Sequence, residues 1–305
     1  MIKALINNDE LATESLIIYS KDEGILYENL DHNKINVRSI AKLVISLACG
    51  VLIDKSKGGF NEDTLIYELL KNKVSISNKK NLKNLKKIRV KHCLTHTMGY
   101  RDIILMSKDI ENIDKDKLLS YSLSYPLYYK PGEKFLYSNA GYFVLAAAMQ
   151  EHLGYNLYDF IYENLFTKIG IYDTRWDRYG KYLAGATKLY LSPTDLLKLG
   201  KVILGKGNYD GRKLLPASWV EKMSDKLYNN KKDYIDKTFF TDDFYGYGLW
   251  TGKDDIYYSS GSGGQLVSFL EKEGIIIVAT NSGDPNKAPL IKKQVSLIIE
   301  DLKGE

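Results

Sequence analysis

Cysteine, histidine and proline are scarce in this 305-residue chain, which holds two, four and six of them respectively. Two cysteines, Cys49 and Cys93, cannot build a disulfide scaffold, and both lie in apolar patterns that suit buried free thiols. The histidines, His32, His92, His96 and His152, show no metal-ligand spacing and no His-Glu-x-x-His pair, so no metal and no other cofactor is expected. Long apolar runs are missing as well. The longest uncharged apolar stretch, residues 43–53, falls short of the ~20 residues a spanning helix needs, and no membrane span is expected. Charge of one sign is not in excess: the balance of 43 basic and 38 acidic residues, +5, is too mild to argue for nucleic acid as a partner. No Walker A loop, Gly-x-Gly-x-x-Gly or Gly-x-Ser-x-Gly occurs, which leaves nucleotide-binding folds and the standard α/β-hydrolase without support. Residues 1–10 lack the apolar core of a signal peptide. The expectation is a cytoplasmic protein if the sequence is whole, and a cell-envelope or secreted one if a leader precedes it.

What is present is an ordinary globular composition, 44% apolar and 27% charged. Residues 14–20 and 24–29 read as a β-hairpin, and residues 39–54 as a helix apolar all the way round, hence buried on every side. Helical periodicity follows at 61–70, 139–153 and 156–166, then after the start signal Ser192-Pro193-Thr194-Asp195 at 196–204, and again at 216–223. The chain returns to strand patterns at 245–251, 256–260, 265–271 and 275–281, and a helix over 287–302 closes it. Strands at both ends with helices between predict an α/β (α+β) fold. An antiparallel sheet built from N- and C-terminal strands is flanked by helices and carries an inserted, mostly helical lobe. In residue terms, 1–58 and 180–305 form the sheet region and 59–179 the helical region, together one catalytic domain.

Three features carry possible chemistry. Ser-x-x-Lys occurs at Ser39-Ile40-Ala41-Lys42 and at Ser77-Asn78-Lys79-Lys80. A chain this rich in serine and lysine contains the pattern by chance, so context decides. Ser77 and Lys80 lie in a polar, solvated stretch. Ser39 opens the most apolar helix, with Lys42 on the same face one turn on. There a dry surrounding would lower the amine's pKa and make it a usable base; alternatively, Ser39 is an N-cap and Lys42 snorkels to water. Tyr-x-Asn occurs four times, and only Tyr137-Ser138-Asn139 sits between a turn and a strongly apolar helix, on a loop fixed by buried structure or as that helix's cap. The third feature is Ser259-Ser260-Gly261-Ser262-Gly263-Gly264-Gln265, either a plain glycine turn or a strand edge open to substrate.

In this order, the three resemble the serine β-lactamase and penicillin-binding-protein superfamily. Its class C-like serine hydrolases, such as esterases and 6-aminohexanoate-dimer hydrolases, are the nearer likeness. Residues 88–99, ending Leu94-Thr95-His96-Thr97-Met98-Gly99, Gly132 through Asn139, and Tyr245-Gly246-Tyr247-Gly248-Leu249-Trp250 extend the likeness over nearly the whole chain. The resemblance implies Ser39 as the acylated nucleophile, Lys42 as its base, and Tyr137, its pKa lowered by Lys42, as the proton carrier to the leaving group. It implies Asn139 as a substrate hydrogen-bonder, the strand edge Ser260, Gly261, Ser262 and Gly263 as substrate-binding, and the N–H groups of Ser39 and Ser262 as the oxyanion hole. The expected partner is a small-molecule or peptide ester or amide substrate. An acyltransferase using the same acyl-enzyme, or a penicillin-binding-type sensor or D-alanyl peptidase with little turnover, are the alternatives. One departure stands out: where the family commonly has Lys-Thr-Gly or His-x-Gly, this chain has Ser259-Ser260-Gly261 and no cation. That argues against substrates recognised by a carboxylate. His96 and Thr97 read as structural, and oligomeric state is not legible.

Overall fold

A computed structural model describes residues 11–231, 238–282 and 284–304. The segment read for an export signal, 1–10, lies outside the described residues. The chain divides into two compact units, one comprising Met1–Ile40, Leu189–Lys213 and Ala217–Glu305, the other Ala41–Lys188 and Leu214–Pro216.

The first unit is built on an eight-stranded antiparallel sheet. Its strands are β1 (Ser15–Ser20), β2 (Gly24–Asn29), β3 (Tyr228–Asn229), β4 (Phe244–Tyr245), β5 (Trp250–Thr251), β6 (Tyr257–Ser260), β7 (Leu266–Leu270) and β8 (Ile275–Thr280). The spatial order is β3-β4-β5-β6-β7-β8-β1-β2, so N-terminal and C-terminal segments share one sheet, as the strand patterns at both ends require. β8 lies between β7 and β1, and each of its residues is buried; Ile-Ile-Ile-Val-Ala-Thr accordingly shows no apolar/polar alternation. The β1–β2 hairpin is closed by the Ser20 hydroxyl, which accepts the N–H groups of Asp22 and Glu23.

Register assigns the two faces. Tyr19, Ile276, Phe269 and Tyr257 lie side by side across β1, β8, β7 and β6. Helix α4 (Pro193–Leu204) packs on that face, with Lys201 Nζ 4.2 Å from the Tyr19 ring centre. Ile18, Ile277, Ser268 and Tyr258 occupy the other face, where Lys292 of helix α6 (Ala288–Lys303) lies over Tyr258. The start of α4 follows from its sequence: Ser192 and Asp195 cap each other's backbone N–H and Pro193 occupies the first turn. Helix α5 (Ala217–Ser224) completes the long helices of this unit.

The run 245–251 departs from its reading as one strand. It is a hairpin, β4 to β5, in which Gly246 N–H donates to the Leu249 carbonyl and Gly248 sits at φ +101°. Aromatic content spoke for an unbroken strand, and two glycines let the chain reverse within it.

The second unit holds helices α1 (Ala41–Lys55), α2 (Val90–Leu94) and α3 (Ala140–Leu153). Residues 41–52 of α1 and 140–149 of α3 are all buried, which matches their unpatterned apolar sequences. The division at Ile40/Ala41 groups α1, read from sequence with the sheet region, with α3 and the helical segments it packs against. Residues 61–70, read as helical throughout, yield only Ile66–Leu70, because 61–64 form a turn closed by the Thr64 N–H on the Asn61 carbonyl. Cys49 and Cys93 are buried free thiols, and burial raises the pKa of both. Among the described residues, no helix is long and apolar enough to cross a membrane, and no group of His, Cys, Asp and Glu could hold a metal ion.

Candidate active site

Lys42 is 1% exposed, in the first turn of a helix that is apolar on all sides. The alternative of a snorkelling side chain is thereby removed. Desolvation lowers its pKa from the ordinary lysine range to about 7. Its Nζ donates to Asn139 Oδ1 at 2.9 Å and to the Ala186 carbonyl at 3.3 Å. A neutral amine has two N–H bonds, so these acceptors engage both and turn the nitrogen lone pair away from themselves. The same nitrogen lies 4.8 Å from the Tyr137 ring centre.

Asn139 is held from its other end. Its Nδ2 donates at 2.9 Å to the carbonyl of Leu105, which can only accept, and this fixes Oδ1 toward the lysine. Tyr137, half buried, rests on His96, their ring centres 4.5 Å apart. His96 is 4% exposed and its Nδ1 accepts the Ser138 N–H at 3.4 Å. Burial, and then the Lys42 charge, hold its pKa well below the usual histidine value, so the ring is neutral. The helical unit thus gathers Lys42, Tyr137 and Asn139, as the sequence predicts. It adds His96 and the carbonyls of Leu105 and Ala186, whose parts in the cluster the reading did not anticipate. The Leu94–Gly99 motif pointed at His96; backbone carbonyls carry no side-chain signature.

Ser39 belongs to the sheet unit, half buried in the 3₁₀ turn Arg38–Ile40 that runs directly into α1. The end of β6 packs on this turn. A Cβ on Gly261 would stand 2.8 Å from the Val37 carbonyl oxygen and 3.0 Å from Arg38 Cβ, so only glycine fits. Gly261 N–H donates to the Gln265 carbonyl at 2.8 Å, and Gly263 N–H to Gln265 Oε1 at 3.1 Å. Gln265 Nε2 in turn donates to the Asn281 carbonyl, and Asn281 Nδ2 to the Gly263 carbonyl at 2.7 Å. Two buried amides therefore hold the glycine segment, with Ser262 exposed at its tip and Ser260 half buried at its base. The segment is thus the turn of the β6–β7 hairpin, its ends paired at Ser260 and Leu266 and its Gly264 N–H donating to the Gly261 carbonyl, braced by the two amides.

Several residues in or beside these two clusters have left-handed backbone. Arg38, His96, Leu105 and Lys188, none of them glycine, have φ of 51°, 56°, 61° and 60°. His96 is Tyr137's ring partner and Leu105 is Asn139's acceptor, while Arg38 precedes Ser39 and Lys188 follows the stretch that supplies Ala186. Strain of this kind persists only where surrounding structure over-determines it. A cavity of the sheet unit, about 560 Å³ and lined by Leu204, Val220, Tyr257 and Phe269 among others, contains none of the candidate residues.

The beta-lactamase family's sequence profile matches residues 32–297. The chain belongs to the beta-lactamase family. Among curated proteins, it is 27% identical over 175 residues to penicillin-binding protein 4* of Bacillus subtilis (strain 168). That match spans 49% of this chain and only 37% of the relative's length. Among solved structures, it resembles the octameric penicillin-binding protein homologue from Pyrococcus abyssi at TM-score 0.73 and 16% identity, covering all of this chain and 76% of that one. It also resembles EstCE1, a hydrolase with promiscuous acyltransferase activity, at TM-score 0.70 and 14% identity, covering 97% of each chain. At such identities the structural likeness shows the fold. With the antiparallel sheet and helical segments above, it establishes a beta-lactamase-like α/β architecture.

Proposed function

We propose that the chain is a serine hydrolase that cleaves an ester or amide through an acyl-enzyme on Ser39, the two units acting as one catalytic domain. The observation that carries this reading is the buried amine of Lys42, with a pKa of about 7 and a nitrogen oriented by Asn139 and Ala186. Ser39 stands three positions before it in the chain, the spacing that puts two residues on one face of a helix. In the proposed reaction, neutral Lys42 takes the Ser39 proton as Oγ attacks the substrate carbonyl. The N–H groups of Ser39 and Ser262 hold the resulting oxyanion, each such donor being typically worth about 3–4 kcal/mol of barrier. Tyr137 passes a proton to the leaving group as its bond to carbon breaks. Water then attacks the acyl-Ser39 ester, releasing the acid and restoring the serine. Asn139 acts here mainly on the lysine, since its amide is engaged with Lys42 and Leu105.

The absence of a cation at Ser259-Ser260-Gly261 favours substrates without the carboxylate of β-lactams and D-alanyl peptides. An acyl-enzyme can also be intercepted by an alcohol or amine, and the printed description of EstCE1 makes acyl transfer the second reading.

The test is intact-mass analysis after exposure to a panel of p-nitrophenyl esters, a β-lactam and a D-alanyl peptide. The expected result is an acyl mass gain on the Ser39 peptide from esters, absent in Ser39→Ala. Equal labelling or turnover in Ser39→Ala would overturn the proposal. A lasting adduct from the β-lactam alone would assign a sensor instead.

A further inference from the structure

Tyr137 lies on a stretch, residues 134–138, that is neither helix, strand nor turn. No regular ladder of backbone hydrogen bonds fixes this stretch, yet one residue meets it at four successive positions. The His96 carbonyl accepts the Leu136 N–H at 2.9 Å, and His96 Nδ1 accepts the Ser138 N–H at 3.4 Å. The His96 ring centre stands 5.9 Å from that of Phe135, edge to face, and 4.5 Å from that of Tyr137. The histidine is itself held fast. It is 4% exposed, its ring lies 5.2 Å from that of Tyr142, and the Tyr142 hydroxyl donates to the Leu94 carbonyl at 3.0 Å. Gly141 lets α3 approach the end of α2 this closely: a Cβ there would stand 2.6 Å from the Cys93 carbonyl oxygen. His96 makes its contacts from a left-handed backbone, φ 56°, which histidine adopts more readily than most side chains. Because Nδ1 accepts, the ring proton sits on Nε2. Burial keeps the ring neutral, so the acceptor is not lost to protonation.

A side chain on an irregular stretch keeps one orientation only where its neighbours lock it. We propose that His96 is the positioning residue of Tyr137, holding the phenol ring with its centre 4.8 Å from Lys42 Nζ so that it delivers a proton to the leaving group. The inference rests on the acyl-enzyme reading and deepens it. It makes a chemical demand that a merely structural histidine would not. A p-nitrophenolate departs as a stable anion, whereas an ethoxide must be protonated as it leaves. Misplacing Tyr137 therefore penalises the second far more than the first.

The experiment compares kcat/KM for p-nitrophenyl acetate and ethyl acetate in wild type, His96→Asn, His96→Phe and Tyr137→Phe. His96→Asn keeps a short polar side chain suited to the left-handed backbone and removes the ring; His96→Phe keeps a ring and removes the acceptor of the Ser138 N–H. Tyr137→Phe is expected to lower the ethyl ester by at least about a hundredfold more than the p-nitrophenyl ester, and each folded His96 variant to skew the ratio the same way by at least about tenfold. In the Tyr137→Phe background the His96 substitutions should skew it no further, as a residue acting through the tyrosine requires. An unmoved ratio in a folded His96 variant, or an equal skew without the Tyr137 hydroxyl, overturns the proposal. Fluorine NMR of protein carrying 3-fluorotyrosine at position 137 separates this inference from the mechanism. His96→Asn is expected to shift or broaden that single resonance, and an unchanged resonance overturns the proposal whatever the kinetics. If wild type turns over neither ester, or Tyr137→Phe shows no skew, it is the proton route that fails, and the resonance alone decides whether His96 holds the ring.

Discussion

The chain contains the same four-residue pattern in two settings. At Ser77-Asn78-Lys79-Lys80, Ser77 is exposed with its N–H on Ser124 Oγ, the Asn78 side chain caps the following turn, and Lys80 is exposed. At Ser39-Ile40-Ala41-Lys42, the lysine is 1% exposed and desolvation lowers its pKa to about 7. Letters and spacing are identical; the solvent is not. An ammonium in water is a weak acid with no base to offer near neutrality, whereas an amine denied hydration is one. The proposed chemistry therefore depends on the apolar residues around Lys42 as much as on the serine and lysine themselves.

The comparison can be broken or sharpened in three steps. The largest contrast is expected between the serines: Ser39→Ala should lower ester kcat by about 10⁴-fold or more, and Ser77→Ala should leave it unchanged. Comparable losses in steady-state assays of both would erase the distinction. Next come the lysines. Lys42→Met should cost roughly 10²–10⁴-fold and Lys80→Met nothing. With the neutral amine as the proposed base, wild-type kcat/KM should climb with pH through about 7; a flat profile across that range would remove Lys42 from proton transfer. The smallest effect is on stability. Lys42 binds its proton more weakly folded, near 7, than unfolded, at 10.5. Its burial penalty is thus full below pH 7 and relieved as pH rises toward the unfolded value. Wild type should gain about 2–3 kcal/mol relative to Lys42→Met between roughly pH 6 and pH 9 in urea titrations, with no such trend for Lys80→Met.

Sequence patterning disclosed more of the frame than of the wiring. The unbroken apolar character of residues 39–54 left two readings of Lys42, dry or snorkelling, and burial at 1% exposure decides for the first. Of the four Tyr-x-Asn triplets, Tyr27 falls on β2, Tyr162 opens a π-turn and Tyr228 lies on β3; only Tyr137 adjoins the apolar helix α3 and the lysine. What stayed hidden were contacts made by main chain. Backbone carbonyls exist in every residue, so those of Leu105 and Ala186 carry no signal of their own, and the left-handed residue at Leu105 is not a glycine that could announce it. The hairpin within 245–251 was obscured for the opposite reason, since its aromatic residues outweighed two glycines that reverse the chain.

The pairing of β1 with β8 has a consequence for how the molecule comes into being. Residues 15–20 find their partners at 275–280, so the β1–β2 hairpin is made before its neighbour β8 and must wait, with one edge bare, until residues 275–280 have been translated. The helical segments from Ala41 to Lys188 emerge between these two events and can condense while synthesis continues. Contacts of such span are slow to form, and the exposed edge of β1 during that interval is where chaperone dependence and misassembly of the nascent protein will concentrate.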